Sequence, residues 1–307
     1  MTVVGSWVVG LTLRADRFPV KGETLIGRDF DQGPGGKGSN QAVQAARLGA
    51  DVEFAGLIGR DNFGQMALDL YQQEHVGTTY LGQVAEKNTG VGLIVLNDVG
   101  DNFIIIDPGT NDLLTPEHVQ QAKNRISQSD AVITQLEIPA AAAVEALRLA
   151  RQAGVLAVLN PAPARPLPIE WLGLADIITP NETELRILLG LSPDDPTEPP
   201  ELCRRLLAAG VKTVVVTLGE QGALVVDSSG SYGVAAFPVQ VVDTTGAGDS
   251  FSATLTVSLA AGLPLREAVR RACAAGALTC THLGVVPGLP RQAELEQFLE
   301  ESTCQSE

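Results

Sequence analysis

The segment Asp243-Thr244-Thr245-Gly246-Ala247-Gly248-Asp249 holds the residue types best suited to chemistry in this chain. Residues 237–242 before it predict an apolar strand, and 250–261 after it a small-residue helix. Two glycines in a tight strand-to-helix turn let backbone N–H groups converge on one point. The following helix aims the positive end of its dipole there. Such a turn holds an anion, best of all one whose charge develops during reaction. Asp249 cannot bind that anion, but it can take a proton from a hydroxyl that attacks it. The chemistry this permits is phosphoryl transfer to an alcohol with Asp249 as base. The same residues also make an ordinary turn in which Asp249 is an N-cap or first-turn acid.

Three other segments carry candidate ligand groups. Gly33-Pro34-Gly35-Gly36-Lys37-Gly38-Ser39-Asn40 leads into a helix predicted over 41–48 and capped by Gly49. Gly35, Gly36 and Gly38 let backbone approach a ligand, and Lys37 adds a local cation; the spacing is not that of a Walker A loop. Asn181-Glu182-Thr183-Glu184 has the form of an N-cap with a capping box, and Asn181 and Glu184 also suit the waters of a Mg²⁺ ion. Residues 217–222, from Thr217 through Gly219 to Gly222, lie between two β-rich runs as a hairpin loop or a nucleotide contact.

These segments need a frame. Strand patterns at 52–58, 131–135, 155–159, 177–178 and 213–217 alternate with helical ones, among them an alanine-rich helix over 139–153 ended by Gly154. This order predicts a parallel sheet covered by helices on both faces, with ligands at the carboxyl ends of its strands. Residues 3–27 and 90–108 break the rhythm with strands and glycine turns. They predict either a small sheet beside the crevice, a candidate lid, or edge strands of the main sheet.

Composition excludes other classes. The 307 residues, 45% hydrophobic, can bury a sizeable core. A net charge of −15 without a basic block argues against nucleic acid as a partner, and obliges any phosphate site to work through backbone dipoles and a few local cations. No apolar run is long enough to span a membrane, and the first ten residues lack signal-peptide features, which predicts a cytosolic location. Cys203, Cys273, Cys280 and Cys304 form no CxxC pair, and His75, His118 and His282 show no metal-ligand spacing.

Taken in order, the segments resemble the ribokinase (PfkB-type) family of sugar kinases, and within it the ribokinase branch. The resemblance runs from Gly5 to about Gly288. It rests on Gly35 to Asn40, Thr89-Gly90, Leu136-Glu137, Asn160-Pro161-Ala162-Pro163-Ala164, Asn181 to Glu184, Thr217-Leu218-Gly219 and Gly246-Ala247-Gly248-Asp249. It implies one kinase domain over 1–307, a three-layer αβα sandwich with a mainly parallel central sheet. It implies a small β-sheet lid from about 8–34 and 88–112, and a homodimer through the lids. Asp249 would deprotonate a primary sugar hydroxyl, and Gly246, Ala247 and Gly248 would form the anion hole. Gly36, Lys37, Asn40 and Glu137 would line the sugar pocket. Asn181, Thr217, Gly219, Gly222 and Gly248 would contact ATP, and Glu184 would hold Mg²⁺ through water. Asp243, Thr245, Thr279, His282, Gly284 and Gly288 match the loops that bind an activating K⁺.

One place departs from the family pattern. After its Gly-Ser pair the family carries an Asn and then an Asp that hold sugar hydroxyls. Here Gly5-Ser6 is followed by Trp7-Val8-Val9-Gly10, so Val8 and Gly10 stand in those places. Neither side chain can hydrogen-bond, which predicts poor binding of ribose and a substrate deoxygenated or bulkier there. Trp7 either stacks on that substrate or is buried core. A fructokinase or nucleoside kinase, or a sugar-responsive binding protein without turnover, are the other functions compatible with the pattern. An intact Asp249 argues against the last, because a binder needs no base.

Overall fold

The apolar runs present alternate residues to opposite sides, and this sets the layers. The computed structural model describes residues 1–99 and 101–304. In its main sheet Val3, Ile133, Val158 and Val215 enter one buried cluster, and their neighbours Val4, Val132, Leu159 and Val216 enter another. A sheet apolar on both faces needs a helix layer on each.

The strands are β1 (Thr2–Val4), β2 (Val8–Arg14), β3 (Arg28–Gly35), β4 (Glu53–Gly59), β5 (Gly77–Val84), β6 (Gly90–Leu96), β7 (Asn102–Asp107), β8 (Ala131–Thr134), β9 (Leu156–Leu159), β10 (Ile177–Ile178), β11 (Thr213–Thr217), β12 (Ala223–Asp227) and β13 (Gly230–Val234). Nine form the main sheet in the order β13-β12-β11-β10-β9-β8-β1-β4-β5. The pairs from β11 to β5 are parallel, and β12 and β13 add an antiparallel edge. One face packs against α1 (Lys37–Arg47), α2 (Asn62–Gln73) and, later in the chain, the helices Ala247–Ala260 and Leu265–Thr279. The other packs against α3 (Ala140–Ala153), whose C-cap Gly154 is left-handed at φ 72°, and α4 (Glu182–Leu188). The two helices named by range are α5 and α6, and α7 (Val285–Gly288) follows them. This is the expected αβα sandwich.

The separate sheet also forms, in the order β3-β2-β6-β7. Val9 is fully buried beneath it, whereas Val8 and Gly10 lie on its opposite face. Its edge strand β7 leaves Phe103, Ile104, Ile105 and Ile106 more than half exposed.

Two expectations change, and one left open is decided. Residues 237–242 form no strand: Pro238 offers no N–H to a ladder, and Val241 and Val242 lie exposed, with Val242 N donating to Cys280 O at 2.8 Å. The glycine turn is therefore reached from an irregular segment. Helix α1 begins at Lys37, four residues earlier than its apolar pattern indicates, because glycine and polar residues fill its first turn. Trp7 is core and not a stacking platform: it is fully buried, edge-on to Tyr71 at 5.8 Å, with its indole N–H donating to Phe63 O at 3.0 Å.

One buried ion pair ties the site-bearing helix to the end of the chain. Arg47 in the last turn of α1 forms a two-pronged pair with the buried Glu74 (3.1 and 2.6 Å). Its other nitrogen donates to Val286 O and Leu289 O at 2.7 Å, which anchors α7. The Arg47 guanidinium holds the Glu74 carboxyl below the usual carboxylate range against burial, with Arg291 adding to the effect. A depressed carboxylate stabilises the fold above its unfolded pKa and loses that contribution as pH falls through the folded one. Glu74→Gln should cost about 3 kcal/mol at pH 7, since breaking a buried pair strands its partner. Urea unfolding should show the gap between wild type and variant narrowing below about pH 4. A pH-independent gap would rule out the charge as its cause.

Candidate active site

The carboxyl ends of β1, β8, β9, β10 and β11 open on one rim, and every site segment meets there. At the end of β1 the chain passes through Gly5 and Ser6, and the start of α1 lies directly on it. A Cβ on Gly38 would stand 2.5 Å from Ser6 N, and one on Gly36, held at φ 88°, 2.7 Å from Val8 N. Gly36 and Gly38 are thus required for close packing of backbone on backbone. After β8, Glu137 Oε2 accepts from Ser6 Oγ at 2.6 Å and from Lys37 N at 2.8 Å. These bonds fix the first turn of α1 over the sheet.

Asp249 occupies the first turn of α5 and is only 5% exposed. Its Oδ2 accepts from Asn40 Nδ2 at 2.8 Å and its Oδ1 from Gln41 Nε2 at 3.0 Å. Lys37 lies in the field of three carboxylates. Asp249 chiefly, then Glu137 and Glu184, raises the Lys37 ammonium above its ordinary value despite burial. Lys37 is therefore charged at neutral pH.

The turn before α5 has the geometry of an anion cradle. Gly246 is left-handed at φ 85°, and a Cβ there would meet Val285 Cγ1 at 2.5 Å. Ala247 N–H donates to Thr244 O at 3.2 Å, and Ser250 N–H to Gly246 O at 2.9 Å. Among the described residues nothing accepts from the N–H groups of Gly246, Gly248 and Asp249. Gly248 has open space where a side chain would be.

Asn181 and Glu184 form the expected capping box, with both reciprocal bonds at 2.8 Å. Burial pushes the Glu184 carboxyl up, and Asp249 adds to this, while Lys37 and the Asn181 N–H pull it back. Thr217 N donates to Pro180 O at 2.9 Å, which brings the β11–β12 connection beside this cap. That connection is a tight hairpin: Gly219 is left-handed, and Leu218 N donates to Gly222 O at 2.8 Å. The remaining loop residues also come together. Asp243 accepts from Thr245 N (2.9 Å), Thr245 Oγ1 (2.6 Å) and Gly284 N (3.1 Å). A Cβ on Gly288 would approach Thr279 O at 2.8 Å and His282 Cβ at 3.6 Å. Burial raises Asp243, but the three donors outweigh it and hold the carboxyl below its usual value.

Sequence reasoning missed Ser6, Gln41 and Gln135. All three are fully buried polar residues, and Gln41 sits on the helix face that also carries Ala42 and Ala45. A polar residue inside a small-residue stripe was the available signal.

Comparison with known proteins agrees with this geometry. The pfkB family carbohydrate kinase model matches residues 1–292. The ribokinase of Haemophilus influenzae is 38% identical over 98% of both chains. That of Bacillus subtilis is 38% identical over 97% of this chain and 98% of its own. The Arabidopsis thaliana ribokinase, solved with ribose and ATP, superposes with a TM-score of 0.92 at 31% identity, covering 97% of this chain and 98% of that one. The chain belongs to the pfkB family of carbohydrate kinases, and the reaction it carries is ATP-dependent phosphoryl transfer to a sugar hydroxyl.

Proposed function

We propose that Asp249 takes the proton from the primary hydroxyl of the acceptor as that oxygen attacks the γ-phosphate of ATP. One observation supports this above the others: the Asp249 carboxylate stands in the first turn of α5, beside unengaged N–H groups of Gly246 and Gly248. Charge building on the transferring phosphoryl group meets Gly246, Ala247 and Gly248, the α5 dipole and Lys37, while Asn40 and Gln41 hold the base. Gly36, Lys37, Asn40 and Glu137 line the acceptor side. The buried Asn40 Oδ1 has no partner among the described residues and suits an acceptor hydroxyl as donor.

The nucleotide lies along Asn181, Thr217, Gly219, Gly222 and Gly248. The donor set near its phosphates fits a water-mediated Mg²⁺. Asn181 Oδ1 and Glu184 Oε2 are committed to the capping box, leaving Glu184 Oε1 to face metal-bound water, and no cluster of three acidic or imidazole groups exists among the described residues. Mg²⁺ supplies neutralisation of the phosphate oxygens. Asp243, Thr245, Thr279, His282, Gly284 and Gly288 hold an activating K⁺ in the loops beneath α5. A second copy of the chain covers the edge strand β7, whose exposed Phe103–Ile106 run is a liability in a free monomer.

The acceptor is not plain ribose. Val8 and Gly10 share a face of the small sheet with Gly33, Gly35, Gly90 and Gly92, and this face supplies no hydrogen-bonding side chain at those positions. Trp7 is turned away into the core. A ribose placed there leaves hydroxyls unpaired, at about 1–3 kcal/mol each.

ADP release with ATP, Mg²⁺ and a panel of pentoses, deoxypentoses, ketohexoses and nucleosides tests the reading. We expect ribose to fall at least about tenfold below the best acceptor in kcat/KM; ribose as best acceptor would overturn the specificity argument. With the best acceptor, Asp249→Asn should lower kcat by at least about 10²-fold with ATP affinity little changed. Retained turnover would remove Asp249 as base, and turnover indifferent to K⁺ would remove the cation. Ile105→Lys should convert a dimer to a monomer in sedimentation equilibrium. A monomeric parent protein would contradict the pairing at β7.

A further inference from the structure

Gln41 joins three other polar side chains of the site. Its Nε2 donates to Asp249 Oδ1 at 3.0 Å and to Asn160 Oδ1 at 3.2 Å, and its Oε1 accepts from Gln135 Nε2 at 2.6 Å. One amide thus joins α1, α5 and the ends of β8 and β9. Its orientation follows from its partners. A carboxylate only accepts, so Asp249 demands the NH₂ group. Asn160 Nδ2 donates to the Thr179 carbonyl at 2.9 Å, and a carbonyl also only accepts, so Asn160 must turn its oxygen to Gln41. Two independent acceptors therefore claim both Gln41 hydrogens, and the Gln41 oxygen is left for Gln135. Gly5 makes the last link possible, because a Cβ there would overlap Gln135 Oε1.

We infer that Gln41 is the positioning residue for Asp249, its amide locked by Gln135 and Asn160 so that the carboxylate is held in a single rotamer. Asn40 secures the other oxygen, and each oxygen keeps a lone pair for the acceptor proton. Both holding groups are neutral. The charged groups facing Asp249 are Lys37 from α1 and Glu184 from α4, with Glu137 bonded beneath Lys37 N–H. The half of α6 nearest the start of α5, Ala272 to Thr279, carries no ionisable group except Cys273, a buried thiol.

This inference rests on Asp249 acting as the base. Gln41→Glu is the informative variant. It keeps size and shape but sets a second carboxylate about 3 Å from Asp249, which disfavours ionisation of the pair. The acid limb of the kcat profile should move up by one pH unit or more, in folded enzyme with its best acceptor. Gln135→Leu leaves the Gln41 oxygen without its donor, which loosens the amide without reversing it, and should lower kcat about tenfold or more with KM for ATP unchanged, since small misplacements of a catalytic group are costly. A folded Gln41→Glu enzyme with an unmoved acid limb would overturn the inference. So would wild-type kcat in Gln135→Leu should Gln41→Glu fail to fold. Asp249→Asn separates the two levels. If it remains active, the base itself is misassigned; if it is inactive while Gln41→Glu is unshifted, only the positioning role falls.

Discussion

Everything at the site depends on α1 lying against the chain between the two sheets with no side chain in the way. Gly36 and Gly38 contact the backbone of Gly5 to Val8 so closely that any Cβ would displace one or the other. This contact aims the first turn of α1 at the carboxyl ends of β1 and β8. Lys37, Asn40 and Gln41 then reach Asp249 from a helix that is fixed at both ends. Glu137 secures its N-terminus, and the Glu74–Arg47 pair secures its C-terminus while also holding α7. A rigid element bearing three polar groups is the arrangement that a proton transfer with little reorganisation requires.

The charge balance explains why backbone dominates the anion side. A chain of net charge −15 repels polyphosphate at long range, so attraction must be local. In the proposed mechanism the helix-start N–H groups and one ammonium provide it. Lys37 is surrounded by Asp249, Glu137 and Glu184, which keep it protonated and cancel part of its charge. Its field is therefore confined to its immediate surroundings and contributes little elsewhere.

Sequence alone reached the alternating strands and helices, the capping box at Asn181, the glycine turn before Asp249 and the existence of a second sheet. Each of these is local: it depends on spacing, on a cap, or on a residue permitted at positive φ. What stayed hidden depends on tertiary contact. The run 237–242 is as apolar as a strand, yet Pro238 lacks an N–H and the run's end bonds to Cys280 O and not to a neighbouring strand. Lys37 to Asn40 do not look helical because their glycines serve packing and not propensity. Gln41 and Gln135 stand 94 residues apart and meet only because β8 ends beside α1. Trp7 had two sequence-level roles, and burial against Tyr71 decides between them.

The two sides of the acceptor site differ in how they can change. Asp249 is held by groups from α1 and, through Gln41, from the ends of β8 and β9, all anchored in the main sheet. The small sheet contributes backbone, Val8 and glycines to the opposite wall, and no hydrogen bond from it reaches Asp249 among the described residues. On the proposed reading, side-chain changes at Val8 and Gly10 alter the acceptor wall while the side chains that bond Asp249 come from α1. If the proposed acceptor wall is correct, substitution on β2 changes the acceptor while the Asn40 and Gln41 bonds to Asp249 stay in place.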